Sequence, residues 1–409
     1  MSRTITSCAA MLVLLAAGSL AAAKSPTVII QVEGADAESH AHSKPPLHKP
    51  PFRGHRPTVD VAILLDTSNS MDGLINQARS QLWTIVQQFA KAKKHGQTPV
   101  LRVAIFEYGN MGLPASEGYI RQVVPLSDDL DKLSEALFAL TTNGGDEYCG
   151  QVIDVAVKSL DWSKEPNGYK AIFIAGNEPF TQGQVDYRSS CKQAIERGIV
   201  VNTIHCGNGD EGRHGMWQDG AKLAEGESFN IDQDRAVVQI KCPQDEIIIR
   251  LNTELNKTYL WYGAESERLD YSRNQVAQDS NAGGIDGGVL AARAATKASS
   301  GYRNLNRDLV DTLSEDKDIL SKVKAGELPE PLQKLAPAKR EAYVNEMAAK
   351  RASVQQQIAK LAVERDTYLA KEQKRLATDA GQATLGDVVV TAIQKQLADS
   401  GFEQATAEE

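Results

Sequence analysis

Hydrophobic and polar positions are arranged in alternating blocks over the first two thirds of the chain. Residues 59–65 (VDVAILL) form a nearly unbroken apolar run rich in β-branched side chains, the pattern of a strand buried on both faces of a parallel sheet. The run stops abruptly at Asp66-Thr67-Ser68-Asn69-Ser70. Beyond it Leu74, Ala78, Leu82, Ile85, Val86 and Phe89 recur at helical spacing on one face. Leu101 to Tyr108 reads as a second strand, Tyr119 to Pro125 as a third, Ala171 to Ala175 as a fourth, Ile199 to His205 as a fifth and Ser228 to Ile231 as a short sixth. Between them Leu130, Leu133, Leu137 and Leu140 mark one helix face, and Val152, Ile153, Ala156, Val157 and Leu160 another. A closing helix runs through Ile247, Leu251, Leu255 and Leu260. Strands alternating with helices predict an α/β fold with a doubly wound, mostly parallel sheet over residues 58–263.

After Gly263 the period changes. Residues 281–300 are dense in Ala, Gly and Ser, and no strand pattern follows. Tyr343, Met347, Val354, Ile358, Leu361 and Tyr368 mark one long, thinly apolar and highly charged helix. Leu385, Val388, Val389, Ala392, Ile393 and Leu397 give a last helix a full apolar stripe. The long helix is too sparsely apolar for a coiled coil. Residues 264–409 are therefore expected to be an α-helical region packed on the α/β domain or on a partner, with the last helix docked by its stripe.

Residues 1–23 carry the layout of a secretory signal peptide: Arg3, a short apolar core from Ala9 to Leu20, then Ala21-Ala22-Ala23 as a cleavage site. That core is too short to span a bilayer, and no later segment is apolar enough to do so. An exported protein, soluble in the periplasm or outside the cell, is expected. Residues 24–57, with His40, His42, His48 and His55 among Lys-Pro-Pro units, read as an extended Pro/His-rich linker. Export changes the reading of the cysteines. Removal of Cys8 leaves Cys149, Cys191, Cys206 and Cys242, an even set that favours at least one disulfide, Cys191–Cys206 first. The formal net charge of −8, with no basic stripe, argues against a nucleic-acid partner.

The chemistry concentrates at the break after residue 65. Asp66, Ser68 and Ser70, spaced D-x-S-x-S, place one carboxylate and two hydroxyls on the turn at the carboxyl end of a buried strand, where open α/β sheets bind ligands. Hard oxygens suit Mg²⁺, Mn²⁺ or Ca²⁺ rather than zinc. Helix capping accounts for one such residue, not three. The pattern, with its strand before and amphipathic helix after, resembles the metal-ion-dependent adhesion site of von Willebrand factor type A domains.

The resemblance spans about half the chain and implies further ligands. Its second loop corresponds to residues 143–150, where aligning Gly150 with the family's helix-starting glycine puts Glu147 at the ligand position. Asp146 is the alternative, and Thr141 or Thr142 serves if the loop is set differently. The third loop normally brings an Asp, but here Gly176 stands in its place, leaving Asn177 or Glu178 to substitute. Such a site leaves a divalent ion incompletely neutralised, so that it accepts an acidic side chain from a partner protein. The implied function is exported, metal-dependent protein binding in adhesion or assembly, without catalysis.

Other constellations carry less. Residues 207–212 match G-x-G-x-x-G, with Asp232 beyond, but Asp210 and Glu211 would repel a pyrophosphate, and the next helix is expected only after Gly215. Ser68 and Ser70 lack a His–Asp partner in the sequence, and His205 and His214 are expected to have ordinary polar roles. A metal-dependent hydrolase using the same ion, or a structural envelope protein with a vestigial site, remain the alternatives.

Overall fold

The apolar run at residues 59–65 becomes the inner part of a six-stranded sheet. The computed structural model describes residues 56–165, 168–235, 237, 239–376 and 384–404. The expected signal peptide and nearly all of the Pro/His-rich linker lie outside them. In chain order come β1 (Thr58–Asp66), α1 (Asp72–Ala90), β2 (Ala92–Lys93), β3 (Val100–Tyr108), β4 (Ile120–Ser127), α2 (Leu130–Ala139), α3 (Cys149–Ser159), β5 (Tyr169–Gly176), α4 (Tyr187–Glu196), β6 (Val200–Cys206), α5 (Gly209–His214), α6 (Trp217–Leu223), β7 (Ser228–Ile231) and α7 (Asp245–Asn256). The remainder is α8 (Glu265–Ile285), α9 (Gly287–Ala298), α10 (Leu309–Glu315), α11 (Ile319–Lys322), α12 (Glu330–Gln333), α13 (Pro337–Leu376), α14 (Leu385–Asp399) and β8 (Glu403–Gln404).

The sheet order is β4-β3-β1-β5-β6-β7, parallel throughout except for antiparallel β4. This is the mostly parallel, helix-flanked α/β sheet expected from the sequence. Strand alternation sends side chains to two separate layers. Val61, Leu65, Phe173, Ala175 and Ile204 pack with α1, α2 and α14, whereas Ala62, Leu64, Ile172, Ile174 and Val201 pack with α3, α4 and α6. The register sets Asp66 beside Tyr108 on one side and Leu65 beside Ala175 on the other. The carboxyl ends of β1, β3 and β5 thus meet at one edge.

The helical region is built into this core. Leu385, Val389, Ile393 and Leu397 of α14 join the α1 layer, so the expected docking of the last stripe is present. The first turn of α14 is capped from α1: the Leu385 N–H donates to Gln77 Oε1 (2.8 Å) and the Gly386 N–H to Gln81 Oε1 (2.6 Å). The closing helix stops short of its expected end, at Asn256. Leu260 turns away to bond residues 308 and 309 and joins the cluster of Leu309, Leu328 and Val344.

α13 explains its thin stripe. Val344, Val354 and Ile358 are buried, and Arg351 and Arg365 fall on the same face. Arg351 Nη1 meets Asp308 at 2.6 Å and Asp311 at 2.8 Å, and Arg365 Nε meets Asp245 at 2.6 Å. A charged residue paired and hydrogen-bonded can be buried where an unpaired one cannot. A third buried cluster joins α2 to α8 and α9, with Arg293 between Asp131 (2.7 Å) and Asp279 (2.6 Å), and Lys297 also on Asp279.

Three expectations are corrected. No strand was expected after residue 263, yet β8 forms a two-residue antiparallel pair with β2. The glycine-rich segment is not a plain connection, because α5 begins within it at Gly209, capped by the Asn208 side chain on the Asp210 N–H. A Cβ on Gly212 would lie 2.7 Å from His205 Cγ, so that glycine permits close packing. The disulfide is not formed: Cys149, Cys191, Cys206 and Cys242 are buried free thiols. Cys191 faces the α3/α4 layer and Cys206 the α1/α14 layer, so the sheet separates the pair proposed from sequence.

Candidate metal centre

β1 ends on Asp66, which is 0% exposed and lies beside Tyr108, the last residue of β3. The chain then turns through Thr67, whose N–H donates to the Tyr108 carbonyl, and enters α1. Asp66 Oδ1 accepts the Ser68 N–H at 2.8 Å, which folds the turn back over the carboxylate. Asp66 Oδ2 is buried with no hydrogen-bond partner. Ser68 is 3% exposed and its hydroxyl stands 3.3 Å from that of Ser70, which faces solvent.

Glu147 is brought in by the loop between α2 and α3. Asn143 N–H donates to the Thr67 carbonyl, Asn110 Nδ2 donates to the Thr141 carbonyl (2.9 Å), and Gln182 Oε1 accepts the Glu147 N–H (2.8 Å). A Cβ on Gly109 would lie 2.7 Å from Glu147 Cγ and 2.9 Å from Asp66 Oδ1, so both carboxylates flank the same glycine. Burial raises Asp66 to about 6, with the Ser68 donors and the nearby Asn177 N–H holding it back. Burial and then the Asp66 charge raise Glu147 to about 8, while the Ser68 hydroxyl pulls the other way. Two confined carboxylates and two hydroxyls, one buried oxygen accepting no hydrogen bond, fit a hard divalent cation.

The other residues named from sequence are placed differently. Asp146 is exposed and accepts from the Tyr148 hydroxyl at 3.0 Å. Thr142 donates to Asp72, and Thr141 is exposed. Asn177 follows β5, and its side-chain oxygen is buried without a partner. Glu178 is near enough that its charge raises both Asp66 and Glu147. His205 is fixed by Asn230 Oδ1 (2.8 Å) and the Asn177 carbonyl (3.2 Å), and His214 is exposed. Among the described residues, no three His, Cys, Asp or Glu side chains form a metal-binding group of their own. Any cation here would depend on the serine hydroxyls as well as the two acids.

Sequence reasoning missed Tyr108 and Gly109. Tyr108 is buried beneath Asp66, donates to the Ala175 carbonyl at 3.0 Å, and is pushed far above its ordinary phenol value by burial. Gly109 adopts a φ of +77°, a conformation that glycine permits, and opens the wall between the two acids. A glycine after an apolar strand was the available sign.

The model of the von Willebrand factor type A domain family matches residues 60–235. No curated protein matches. Among solved structures, the conserved hypothetical protein BatB from Bacteroides thetaiotaomicron is 16% identical over 54% of this chain and 99% of its own, with a TM-score of 0.33. The SpRpn10 VWA domain is 15% identical over 44% of this chain and 90% of its own, with a TM-score of 0.34. Proximal thread matrix protein 1 from the mussel byssus, solved with a zinc-occupied MIDAS motif, is 15% identical over 44% of this chain, with a TM-score of 0.34. This chain spans less than half the length of that mussel protein, 43%. On the match over residues 60–235, the chain carries a von Willebrand factor type A domain.

Proposed function

We propose that this chain is an exported, non-enzymatic binding protein that engages an acidic group of a partner protein through a divalent cation. The ion is Mg²⁺, or Mn²⁺ or Ca²⁺ in its place. Asp66, Ser68, Ser70 and Glu147 hold it, with Asp146, Asn177 and Glu178 around it. The observation that carries this reading is Asp66 Oδ2, a buried oxygen that accepts no hydrogen bond. A carboxylate oxygen held out of water without a partner is costly, and a cation offsets that cost. When bound, the ion supplies positive charge with positions open to an incoming carboxylate. The chain's residues fix its place and exclude water beneath it.

One further observation supports the reading. Both ring nitrogens of His205 are engaged by Asn230 and Asn177, which leaves Ser68 and Ser70 without that imidazole as a general base. No described helix is long and apolar enough to cross a membrane. Export itself rests on the pattern of residues 1–23.

The test is calorimetric titration with Mg²⁺, paired with cross-linked capture of partners from the native envelope with and without EDTA. Binding should vanish in Asp66→Ala. Capture should be lost in EDTA and in Ser68→Ala, with circular dichroism unchanged. Mg²⁺ binding that survives Asp66→Ala, or capture indifferent to chelation, overturns the proposal.

A further inference from the structure

The loop from β3 to β4 borders the candidate metal centre at Gly109 and carries an exposed apolar residue two positions further on. Gly109 borders both Asp66 and Glu147, and two residues on, Met111 is 63% exposed, more than any other large hydrophobic side chain described. A single exposed apolar residue ordinarily needs no explanation. Met111 differs in how firmly it is held. Asn110, itself 8% exposed, accepts the Gly112 N–H on Oδ1 (2.8 Å), donates to the Thr141 carbonyl, and accepts the Leu113 N–H on its own carbonyl (2.9 Å). A Cβ on Gly145 would lie 2.9 Å from the Met111 N, so the loop carrying Glu147 packs directly against it. The far end of the same loop holds Tyr119 at a φ of +55°, with its ring 6.2 Å from that of Tyr148. Left-handed backbone in a bulky residue costs energy and persists only where surrounding structure enforces it.

Charge narrows what this surface accepts. Asp72 and Asp146 are exposed and Glu178 half-buried around the site. A cation there can draw one carboxylate, but a second acid beside it meets these like charges. The exposed apolar residue of this loop is Met111, whose thioether side chain adapts to the shapes it covers.

We infer that Met111 is the second contact of the docking site: the partner segment carries one carboxylate for the cation and, beside it, a bulky apolar side chain that covers Met111, with no second acid at that position. This rests on the metal-dependent reading above and names the partner's chemistry.

The probes are fluorescently labelled, capped pentapeptides of glycine carrying a central Asp, whose flanking residue on either side is Gly, Leu or Asp. They are titrated by anisotropy against the full chain in Mg²⁺ and in EDTA, with Mg²⁺ binding measured separately by calorimetry. In Mg²⁺ a Leu-flanked peptide should bind at least about tenfold tighter than the Gly-flanked one, and the Asp-flanked peptide no tighter than the Gly-flanked one. Met111→Ala should bring the Leu preference to within about twofold while leaving the Gly-flanked affinity unchanged, and Met111→Leu should keep it. If Mg²⁺ binds but Leu brings no gain, no peptide binds, or Met111→Ala retains the preference, the assignment of Met111 is overturned. If Mg²⁺ does not bind, or the peptides bind equally in EDTA, the metal reading itself fails and this inference with it.

Discussion

The hydroxyl of Tyr108 fills the space that a side chain at residue 176 would enter: a Cβ on Gly176 would lie 2.4 Å from it and 3.1 Å from Asp66 Oδ2. The Asp that the family resemblance implied at this place is therefore excluded by the Tyr108 side chain, which reaches over from β3, two strands away. On the proposed metal-binding reading, third-loop chemistry falls to Asn177 and Glu178 beyond it.

Gly176→Ala should then be destabilising although it adds one methyl group to a strand. Tyr108 is fully buried and its hydroxyl donates to the Ala175 carbonyl, so an overpacking cost of about 1–3 kcal/mol is expected. Urea unfolding followed by fluorescence reads this directly. A variant as stable as wild type would mean that the tyrosine yields.

The two raised acids set a pH dependence with a definite sign. Asp66 at about 6 and Glu147 at about 8 lie above ordinary carboxyl values, so the cation-free native state holds protons that the unfolded chain has released. Their contribution to stability is present at low pH and is lost as pH rises through those values. Mg²⁺ needs the deprotonated pair, so its stabilising increment should grow over the same window. Urea midpoints at about pH 5 and about pH 8.5, each with Mg²⁺ or EDTA, check this, and an equal increment at both would remove the pair from the site.

Arg293 should be among the most sensitive positions outside the sheet. It is 0% exposed, and its guanidinium separates Asp131 on α2 from Asp279 on α8. Arg293→Ala leaves two buried acids short of a partner, at an expected cost of about 3–5 kcal/mol. Asp279, held at about 2 mainly by the Lys297 and Arg293 charges against its burial, should show the change as a rise toward the ordinary carboxyl range in carbon-13 NMR titration.

Ile393→Ala tests whether α14 belongs to the domain's core. Ile393 is 0% exposed against the α1 layer, and its truncation should cost about 2–5 kcal/mol in one cooperative transition. A separate early transition, with the rest of the fold intact, would instead show α14 to be an independent element.

Local pattern determined much of this protein. The β-branched run at residues 59–65, its sudden end in D-x-S-x-S, and the spacing of Leu74 to Phe89 identify strand, turn and helix, because strand and helix periods are properties of a short stretch. Glu147 was reachable through the family resemblance. The stripe of α14 announced that the helix must be covered.

What covers it was decided only in three dimensions. Gln81 caps a helix whose first turn lies 303 residues further on, at Thr384, and no spacing rule reaches so far. Arg351 and Arg365 lie on the inward face of α13 with Val344, Val354 and Ile358, a placement no local pattern shows because their partners Asp308, Asp311 and Asp245 are remote in sequence. Cys191 and Cys206 are close in the chain but lie on opposite faces of the sheet. Gly176 looked like a lost ligand and is a packing requirement set by Tyr108. In each case burial and pairing depend on which distant side chain arrives, and that is fixed by the packing of whole elements rather than by any one of them.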